Sequence, residues 1–441
     1  MRVLPIYLAP FLFVACTTPE IPVEDTLVNT AHLERLYEAI PNGDTPLGTI
    51  WIYCEAPDYH LVADADEGFT CVDDVSRALV FYCRRFKSNP THEYQEKIRT
   101  LAEFLFYMQS ANGFFYNFLL PGPEINKTHQ NSQAIPSWWS WRAFWALSEL
   151  NLLDTPELGE LQTRARQVMD LLVQRMQILC MDSGDPVVFD GISVPGCLAE
   201  LGADQVGVML MGLANYYQIN PSEKIKALIL SFGDLLLQVQ HGDADTWPHY
   251  AIMSWRNEWH AWGNSQAYAL LKAGHALQHA PFIQAGLNEA RFFYPYCMEK
   301  GFMNGFKVAQ GTDSLEMLDF RPFPQIAYGI RPMVFASLEA FSITGDTTYA
   351  EIAGNLAKWF FGNNPAAQAM YDPSTGRTFD GIGSPTDINF NSGAESTIEA
   401  LLTIQALEQV PEARGVLNKS KVGPQINRIL DFAESSSMVS L

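Results

Sequence analysis

The 441-residue chain is poor in positive charge. It has 28 Lys and Arg residues against 49 Asp and Glu residues, and its formal net charge is −21. Only 17% of the residues are charged, and the basic ones form no cluster. Proteins that bind phosphate backbones or anionic membrane surfaces need clustered Lys and Arg. The composition therefore argues against nucleic acid as a partner.

Several chemical motifs are also absent. The cysteines form no Cys-x-x-Cys pair and no Cys/His spacing typical of zinc. The sequence contains no phosphate-binding loop, Rossmann fingerprint, nucleophile elbow or His-Glu-x-x-His motif. Acidic stretches at 63–67 and 242–245 offer oxygen ligands for Ca²⁺, but neither matches a calcium loop, and we interpret them as surface loops. We therefore expect neither a metal site nor a cofactor.

Strand-like alternation is scarce, apart from short pieces at 113–120 and 186–192. Long stretches with helical apolar spacing alternate instead with breakers rich in Asn, Asp, Gly and Pro. The predicted helix pairs lie near 74–110, 137–179, 203–240, 260–298 and 325–361. A sixth pair begins near 394, with either 424–435 or the N-terminal helix near 27–40 as its partner. Without the period of roughly 34 to 47 residues that marks a solenoid, this pattern predicts an all-α (α/α)6 toroid.

The first residues resemble an export signal. One Arg is followed by an apolar stretch that is too short to span a membrane as a helix. Residues 13–16, Phe-Val-Ala-Cys, resemble a bacterial lipoprotein processing box in which Cys16 is lipidated; an ordinary cleaved signal or an apolar strand is the alternative. We predict a signal peptide over 1–16, a tether over 17–26 and one domain over 27–441. The protein would then be lipid-anchored in a bacterial cell envelope, in the periplasm or the outer membrane.

An oxidising compartment of this kind permits disulfide bonds. No pairing among the six remaining cysteines follows from the sequence. Cys83 and Cys180 lie within apolar runs, and we expect both to be buried thiols.

In such a toroid the N-termini of the six inner helices share one rim, so residues far apart in sequence converge there. The helix starts and their flanks supply these candidates: Asp73, Asp74, Trp138, Trp139, Trp141, Arg142, Asp204, Gln205, Glu258, Trp259, His260, Trp262, Asn264, Tyr328, Arg331, Asn391 and Glu395. Each has a purely structural alternative. Glu395 fits a capping box with Ser392, an Asp is a good N-cap, and Trp packs well in cores. The gathering of acids, tryptophans, a His and two Arg at one rim favours a polar cleft with sugar-stacking walls.

Two further candidates lie just before the last helix start. The tetrapeptide Phe-Asp-Gly-Ile occurs at 189–192 and again at 379–382. Asp380, in the second copy, has the chemistry of a turn residue, an interpretation that we favour over substrate binding although the two are compatible. Arg377, together with Arg142 and Arg331, is a candidate for contacts with sugar hydroxyls or carboxylates.

Two short motifs resemble glycoside hydrolase family nine and bacterial six-hairpin glycosidase-like proteins. Gly-x-Asn-Pro at 362–365 precedes Glu395 and its helix, and Asp73-Asp74 opens the first predicted inner helix. The resemblance implies that Glu395 is a general acid and that Asp73 or Asp74 is the base. The family's Asp-Ala-Gly-Asp and His-His-Arg elements are missing, so the resemblance does not extend to cellulose as the substrate.

The function that we expect is hydrolysis of an oligo- or polysaccharide by an inverting mechanism. Glu395, with its pKa raised in a partly buried cleft, protonates the leaving oxygen, while Asp73 or Asp74 deprotonates a water on the opposite face of the sugar. The two carboxyl groups of such a pair should stand about 6.5–9.5 Å apart, which leaves room for that water. One alternative is a sugar epimerase or polysaccharide lyase, with His260 as the base and His249 as the nearest second His. The other alternative is a non-catalytic glycan-binding lipoprotein.

Overall fold

The computed structural model describes residues 26–181 and 183–418. The segments with helical apolar spacing form helices there, and none of these helices has the length and hydropathy that a bilayer-spanning segment needs. The helices are α1 (Ala31–Leu36), α2 (Val72–Ser88), α3 (His92–Met108), α4 (Trp138–Asn151), α5 (Gly159–Met176), α6 (Gly196–Leu201), α7 (Ala203–Ile219), α8 (Glu223–Leu237), α9 (Gln266–Leu277), α10 (Ala280–Asn288), α11 (Tyr294–Glu299), α12 (Ala327–Thr344), α13 (Thr347–Ala357), α14 (Ala394–Glu408) and α15 (Pro411–Asn418).

Six of these helices form a closed inner ring. In the order α2, α4, α7, α9, α12 and α14, each packs against the next, and α14 packs back against α2. Helices α3, α5, α8, α10, α13 and α15 each pack against the inner helix that precedes them in the chain. The inner helices are consequently buried on nearly all sides, as in α7, where almost every residue from Ala203 to Tyr216 is buried. The prediction of an (α/α)6 toroid is confirmed.

The sixth hairpin differs from both sequence-based alternatives. Its outer helix is α15, whereas residues 424–435 lie outside the described part of the chain. Helix α1 also packs against α14. Glu408, at the end of α14, accepts hydrogen bonds from the backbone N–H groups of Leu27 and Val28. The N-terminal segment therefore covers the joint where the ring closes.

The strands are short and lie in the loops between helices, and more of them are present than the sequence predicted. Both predicted pieces contain one, β6 and β8. A three-stranded sheet, β12-β13-β14, was missed; β14 exposes most of its side chains, so it carries little core-facing periodicity. The strands are β1 (Tyr37–Ile40), β2 (Leu47–Ile50), β3 (Tyr53–Glu55), β4 (His60–Val62), β5 (Thr70–Cys71), β6 (Phe118–Leu120), β7 (Glu124–Ile125), β8 (Val187–Phe189), β9 (Ile192–Val194), β10 (Gln240–His241), β11 (Ala251–Ile252), β12 (Glu258–His260), β13 (Gly305–Gln310), β14 (Leu315–Arg321), β15 (Tyr371–Asp372), β16 (Arg377–Thr378), β17 (Gly381–Ser384) and β18 (Asp387–Asn389).

The cysteines divide into one disulfide and several buried thiols. Cys180 is bonded to Cys197, so the expectation of a thiol at Cys180 is wrong. Cys83 is a buried free thiol as expected, and so are Cys54, Cys71 and Cys297. The apolar run around Cys180 gave no sign that its partner would come from the start of α6.

The two acidic stretches form turns. Asp64 Oδ1 accepts the N–H groups of Asp66 and Glu67 at 2.7 and 2.9 Å. Asp243 Oδ1 accepts those of the residues two and three positions later at 2.9 and 2.8 Å. These backbone hydrogen bonds lower the pKa of both Asp64 and Asp243. Within residues 26–181 and 183–418, no group of three or more His, Cys, Asp and Glu is arranged to hold a metal ion.

A buried acid lies in the outer part of the fourth hairpin, after α10. A π-helical turn, Glu289–Phe293, joins α10 to α11 and places the Glu289 side chain in the core, 2% exposed. Its Oε1 accepts the backbone N–H of Ile252 at 2.8 Å. Burial raises the pKa of Glu289 to about 8. The neutral carboxylic acid is therefore the form that the folded protein favours near pH 7.

Replacing Glu289 with Gln tests this assignment. The pKa of Glu289 is about 8 in the folded protein against 4.5 for an ordinary Glu, so its stabilising contribution is complete below the lower value and is lost as the pH rises to the higher one. Across this window we expect the unfolding free energy of the wild type to fall, relative to Glu289→Gln, by about 1.4 kcal/mol per pH unit. Urea denaturation at several pH values within the window measures the difference.

Glu299→Gln, at the exposed end of α11, is the matched control and should follow the wild-type pH dependence. If Glu289→Gln also follows it, the buried acid is not the source of the pH dependence.

Candidate active site

A cavity of about 580 Å³ opens at the rim where the inner helices begin. Helices α2, α4, α12 and α14 contribute residues from their first turns, and the loop before α9 contributes Trp262. The residues that line it include Asp73, Asp74, Arg77, Trp138, Arg142, Trp262, Tyr328 and Glu395. The toroid thus brings together residues that are more than 300 positions apart in the sequence, as predicted.

Helix α2 places two acids in its first turn. Its N-cap is Cys71, whose sulfur accepts the N–H of Asp74 at 3.5 Å. Asp73 and Asp74 follow at the positive end of the helix, where carboxylates are favoured. The carboxylate of Asp73 faces Arg142, and Asp74 faces Arg77. Neither Asp is the N-cap that the structural alternative required.

Arg77 lies one turn below these acids and connects α2 to α14. Its Nη1 donates to Asp74 Oδ1 at 2.7 Å, and its Nη2 donates to Glu395 Oε2 at 2.6 Å. Its Nε lies 3.0 Å from Glu399 Oε1. The Arg77 side chain is only 3% exposed. One guanidinium therefore contacts three carboxyl groups at the joint between the first and last inner helices.

A second layer supports this arrangement. Glu399 is fully buried and accepts a hydrogen bond from Arg331 Nε at 2.5 Å. Arg331 in turn stacks over the ring of Tyr328, with 5.4 Å between guanidinium carbon and ring centroid. Arg331 therefore fixes Glu399 from below, and Glu399 fixes the orientation of Arg77. The structure places Arg331 behind the cavity and not in its lining.

Arg142 forms the opposite side of the site. It donates to Asp73 and, through Nη2, to the hydroxyl of Tyr328 at 2.9 Å. Its guanidinium lies over the ring of Trp138 at 4.9 Å. The amide of Asn117 also faces Asp73, with Nδ2 3.4 Å from Oδ2. Asp73 is thus oriented by neighbours on α4 and on the loop that precedes it.

Two of the carboxyl groups have altered proton affinity. Burial raises the pKa of Glu395, and the nearby Asp74 carboxylate raises it further, while Arg77 opposes the shift. Burial also raises the pKa of Asp74, against the effect of Arg77. The Glu395 side chain is 41% exposed on the cavity wall, against 5% for Asp74. Glu395 therefore combines access to the cavity with a raised pKa, which suits a proton donor.

Glu395 does not form the capping box that the sequence allowed. Helix α14 begins after Gly393, and no side chain of that residue or of Glu395 caps it. The Ser392 hydroxyl instead accepts the N–H of Thr378 at 3.2 Å. Asp380 supplies the cap, because its Oδ1 accepts the N–H of Gly393 at 2.8 Å and the hydroxyl of Ser396 at 2.6 Å.

Glycine is required at 393. A Cβ there would lie 2.7 Å from the carbonyl oxygen of Ile52, and the next N–H, of Ala394, donates to that same oxygen at 2.9 Å. The start of α14 is therefore held tightly against the segment that leads into β3.

Aromatic rings form one wall of the cavity. Trp138 and Trp262 lie 5.9 Å apart, centroid to centroid, with a 50° angle between their planes. Trp262 is 38% exposed and stacks on the His260 ring at 3.8 Å. Trp139 also lines the cavity, but its indole N–H donates to the carbonyl of Phe115 at 2.7 Å. Trp138 and Trp262 are the two tryptophans whose faces are placed for stacking.

Two of the tryptophans predicted to bind substrate lie in the core instead. Trp141 is fully buried, and its Nε1 donates to Gln205 Oε1 at 3.0 Å. Trp259 is also fully buried and stacks on Phe306 at 5.6 Å. Gln205 is held by this contact and does not line the cavity. Trp141 and Trp259 therefore pack the protein interior and are not in position to meet a sugar.

His260 and Asp204 form a buried pair below Trp262. His260 Nε2 lies 3.1 Å from Asp204 Oδ2, and His260 Nδ1 lies 2.8 Å from the carbonyl oxygen of Trp262. His260 is 3% exposed and Asp204 4% exposed. Burial raises the pKa of Asp204, an effect that His260 opposes. This pair supports the Trp262 ring from behind.

The other predicted binding residues take part in local contacts outside the cavity lining. Glu258 pairs with Arg321, and the Asn264 amide donates to Ala261. Arg377 lies over the ring of Tyr59 at 4.0 Å. These interactions stabilise the loops around the rim.

The remaining candidates shape loops. Asn391 Oδ1 accepts the N–H of Ala56 at 3.0 Å. Asp190, in the first Phe-Asp-Gly-Ile copy, has a left-handed φ of 49° in the turn between β8 and β9, so the turn interpretation holds for that copy, whereas Asp380 acts as a cap.

Arg77 and Glu399 are functional candidates that were not predicted from the sequence. Each lies one turn beyond a predicted acid: Arg77 three residues after Asp74, and Glu399 four after Glu395. Residues at these spacings share a helix face, and this signal was available. Tyr53, Glu67 and Asn117 also line the cavity. Tyr53 begins the short strand β3 and the other two lie in loops, so none of them has a comparable helical spacing.

The sequence matches no protein-family model and no curated protein. Solved structures are similar in fold. Cellobiose 2-epimerase from Bacillus thermoamylovorans B4167 has a TM-score of 0.59 at 10% identity, covering 86% of this chain and 95% of that one. D-mannose isomerase has a TM-score of 0.56 at 11% identity, covering 88% and 100%.

An α-1,6-mannanase, GH76A of Salegentibacter sp. HEL1_6, has a TM-score of 0.51 at 10% identity, covering 86% of this chain and 96% of that one. That structure is an inactive variant with two adjacent aspartates replaced by alanine, in complex with α-1,6-mannotetraose. Together these likenesses support an (α/α)6 toroid fold for this chain. The likeness to glycoside hydrolase family nine rests on the short sequence motifs alone.

Glu395 and Glu399, the two acids of α14 that contact Arg77, allow a matched test of the Arg77 network. Glu399 is fully buried between Arg77 and Arg331, so Glu399→Gln leaves buried positive charge without its partner and should lower the unfolding free energy by roughly 3–5 kcal/mol. Glu395 is 41% exposed, so Glu395→Gln should cost at most about 1 kcal/mol. Chemical denaturation of both variants compares them directly. Equal losses would show that Glu399 does not hold the joint.

Proposed function

We propose that this protein is a glycoside hydrolase in which Glu395 is the general acid and Asp73 the general base. The observation that carries the proposal is the cavity itself, which is lined by carboxyl groups from α2 and α14 together with Arg77, Arg142, Trp138 and Trp262. This combination of carboxyl pair and aromatic wall suits cleavage of a sugar chain.

Glu395 is the proton donor in this mechanism. Its raised pKa keeps a fraction of the carboxyl protonated above the usual range of Glu, and its exposed side allows it to reach the leaving glycosidic oxygen. Once that proton is transferred, the nearby Arg77 stabilises the carboxylate that forms. Arg77 therefore supports the acid in its product state.

Asp73 is a better base than Asp74 on grounds of access. The Asp73 side chain is 18% exposed and Asp74 only 5% exposed, and a base must reach the attacking water. Asp74 accepts a hydrogen bond from Arg77 Nη1, and it accepts another from the Cys71 thiol at 3.2 Å. Its role in the proposal is to position Arg77, while Asp73 activates water for an inverting displacement.

The similar solved structures support carbohydrate chemistry on this scaffold without choosing the reaction. Two of them are named as an epimerase and an isomerase, and the third is a mannanase whose inactive variant lacks two adjacent aspartates. Asp73 and Asp74 are also adjacent, which favours hydrolysis here. The short motifs that resemble those of glycoside hydrolase family nine favour it too.

Epimerisation is the second candidate, and it would use His260. A base that removes a carbon-bound proton must contact the substrate, whereas His260 is 3% exposed, has Trp262 stacked on its face and directs both ring nitrogens at protein atoms. His249, the other candidate, stacks on Tyr296 and does not line the cavity. The geometry therefore favours the carboxyl groups over the imidazoles.

A product screen tests the hydrolase. Protein lacking residues 1–16 should release reducing ends from a member of a broad glycan panel, and Glu395→Gln and Asp73→Asn should each lower kcat by about 10²–10⁴-fold, the usual contribution of a general acid or base. The first product should carry the inverted anomeric configuration in proton NMR. The alkaline limb of kcat should lie above pH 4.5, because the pKa of Glu395 is raised from that value.

Glu412→Gln, on the exposed surface of α15, is the control and should retain full activity. Full activity in both Glu395→Gln and Asp73→Asn would sink the mechanism. An isomerised sugar without new reducing ends would indicate an epimerase, and an ultraviolet-absorbing product would indicate a lyase.

We also propose that the protein is exported and anchored through Cys16. The lipoprotein-like box at 13–16 supports this, although it lies outside the described residues. The Cys180–Cys197 disulfide is consistent with an oxidising compartment.

Expression of the full chain in a bacterium tests the anchor. The wild type should partition with membranes and incorporate labelled palmitate, whereas Cys16→Ala should do neither, because the acyl chains are attached to that residue. Palmitate incorporation by Cys16→Ala would contradict the assignment.

A further inference from the structure

The cavity lining contains two basic groups among the described residues, and both already contact neighbouring side chains. Among the described residues that line it, Arg77 and Arg142 are the basic ones. Arg77 is 3% exposed and contacts three carboxylates, and the Arg142 side chain is 8% exposed and is shared between Asp73 and Tyr328. Neither presents a guanidinium edge that an anionic sugar could claim without breaking an existing ion pair.

Acidic groups outnumber them in the same lining. Asp73, Asp74, Glu67 and Glu395 all line the cavity. Glu67 lies towards β3, where its Oε2 accepts the hydroxyl of Tyr53 at 2.5 Å. A second carboxylate or a sulfate entering this space would meet like charges at short range and in a partly desolvated site, where repulsion is strong.

The predicted cationic contacts lie elsewhere. Arg331 is 1% exposed and pairs with Glu399 behind the cavity, and Arg377 lies over Tyr59. Neither lines the cavity, so neither is placed to neutralise an acidic substrate. The sequence-based suggestion that these Arg side chains contact sugar carboxylates is not supported by their positions.

The rest of the lining is neutral and rich in hydrogen-bonding groups. Asn117, Gln130 and Asn131 contribute carboxamides, and Ser137 contributes a hydroxyl. Carboxamides both donate and accept hydrogen bonds, as the hydroxyl groups of a sugar do. Trp138 and the loop tryptophan add apolar surface for the C–H faces of a pyranose ring.

From these observations we propose that the cavity accepts uncharged glycans and excludes sugars that carry carboxylate, sulfate or phosphate groups. This inference rests on the proposed function, since it assigns a substrate class to the same site. It also bears on the alternative reactions, because a lyase that acts on a uronate needs to neutralise the carboxylate of its substrate.

The test uses matched pairs of small probes. The methyl glycosides of glucose, mannose and galactose are compared with the methyl glycosides of the corresponding uronic acids, which differ only in a C6 carboxylate. Saturation-transfer NMR at tens of millimolar probe should show binding of at least one neutral glycoside and at least about tenfold weaker binding of its uronide, an effect of like-charge repulsion. Trp262→Ala should abolish the neutral signal, which places binding in the cavity.

Glu67→Gln sharpens the test, because it removes one acid from the lining without touching Glu395, Asp73 or Asp74. It should narrow the difference between glycoside and uronide, and added salt should do the same by screening. Glu412→Gln, on the outer surface, is the matched control and should leave the difference unchanged.

The outcomes separate this inference from the proposed hydrolysis. Uronides that bind as well as or better than the neutral glycosides would overturn it, and so would the absence of binding by all three neutral glycosides. Selective binding of a neutral glycoside by a protein that cleaves no glycan would leave the substrate class standing and reject the hydrolase.

Discussion

The fold and the candidate site both depend on the guanidinium of Arg77. A toroid of six hairpins must join its last inner helix to its first, and here the joint between α14 and α2 contains a charge that is 3% exposed. A buried guanidinium is costly unless it is paired on every side. Asp74 comes from its own helix, and Glu395 and Glu399 come from α14. Helix α14 therefore has to dock in one register for the charge to be matched.

This requirement links stability to chemistry. Glu399 is fully buried and is shared by two Arg side chains, so it has no freedom to move. Glu395 is bound by the same Arg77 but faces the cavity. The structural pairing at one level thus positions a more exposed acid one turn above. Removing the inner pair would disturb the outer one, whereas the outer acid can change its protonation state without opening the joint.

Much of the architecture could be predicted from the sequence, because helical periodicity and breakers are local signals and closure of six hairpins follows from their number. Convergence at the rim followed from the same argument. How deeply each side chain lies below the rim did not follow from it. Trp138 and Trp141 are three residues apart on one helix, yet Trp138 lines the cavity and Trp141 is fully buried. If the helix started one turn higher or lower at the rim, such residues would exchange places between the cavity wall and the core. No local sequence pattern indicates this depth.

The same limit explains Arg77 and Glu399. The helix starts predict the acids that face the cavity, but they do not predict the residues one turn deeper that hold these acids. Once α2 and α14 are neighbours, Arg77 on one helix lies opposite Glu395 and Glu399, two acids one turn apart on the other. Which helices become neighbours is a property of ring closure, so this complementarity has meaning only once α14 is known to pack against α2.

The position of Glu395 shows how a helix start is freed for another role. An acid in a first turn ordinarily serves the helix, through a capping box or the helix dipole. Here Asp380, from the loop before the helix, caps it, and Gly393 lets the chain approach Ile52 closely enough for the following N–H to be satisfied. The N–H groups of Gly393 and Ala394 are thus accepted by Asp380 and by the carbonyl of Ile52, and the Glu395 carboxyl does not cap α14. That carboxyl is then held by Arg77 and faces the cavity, with 41% of its side chain exposed.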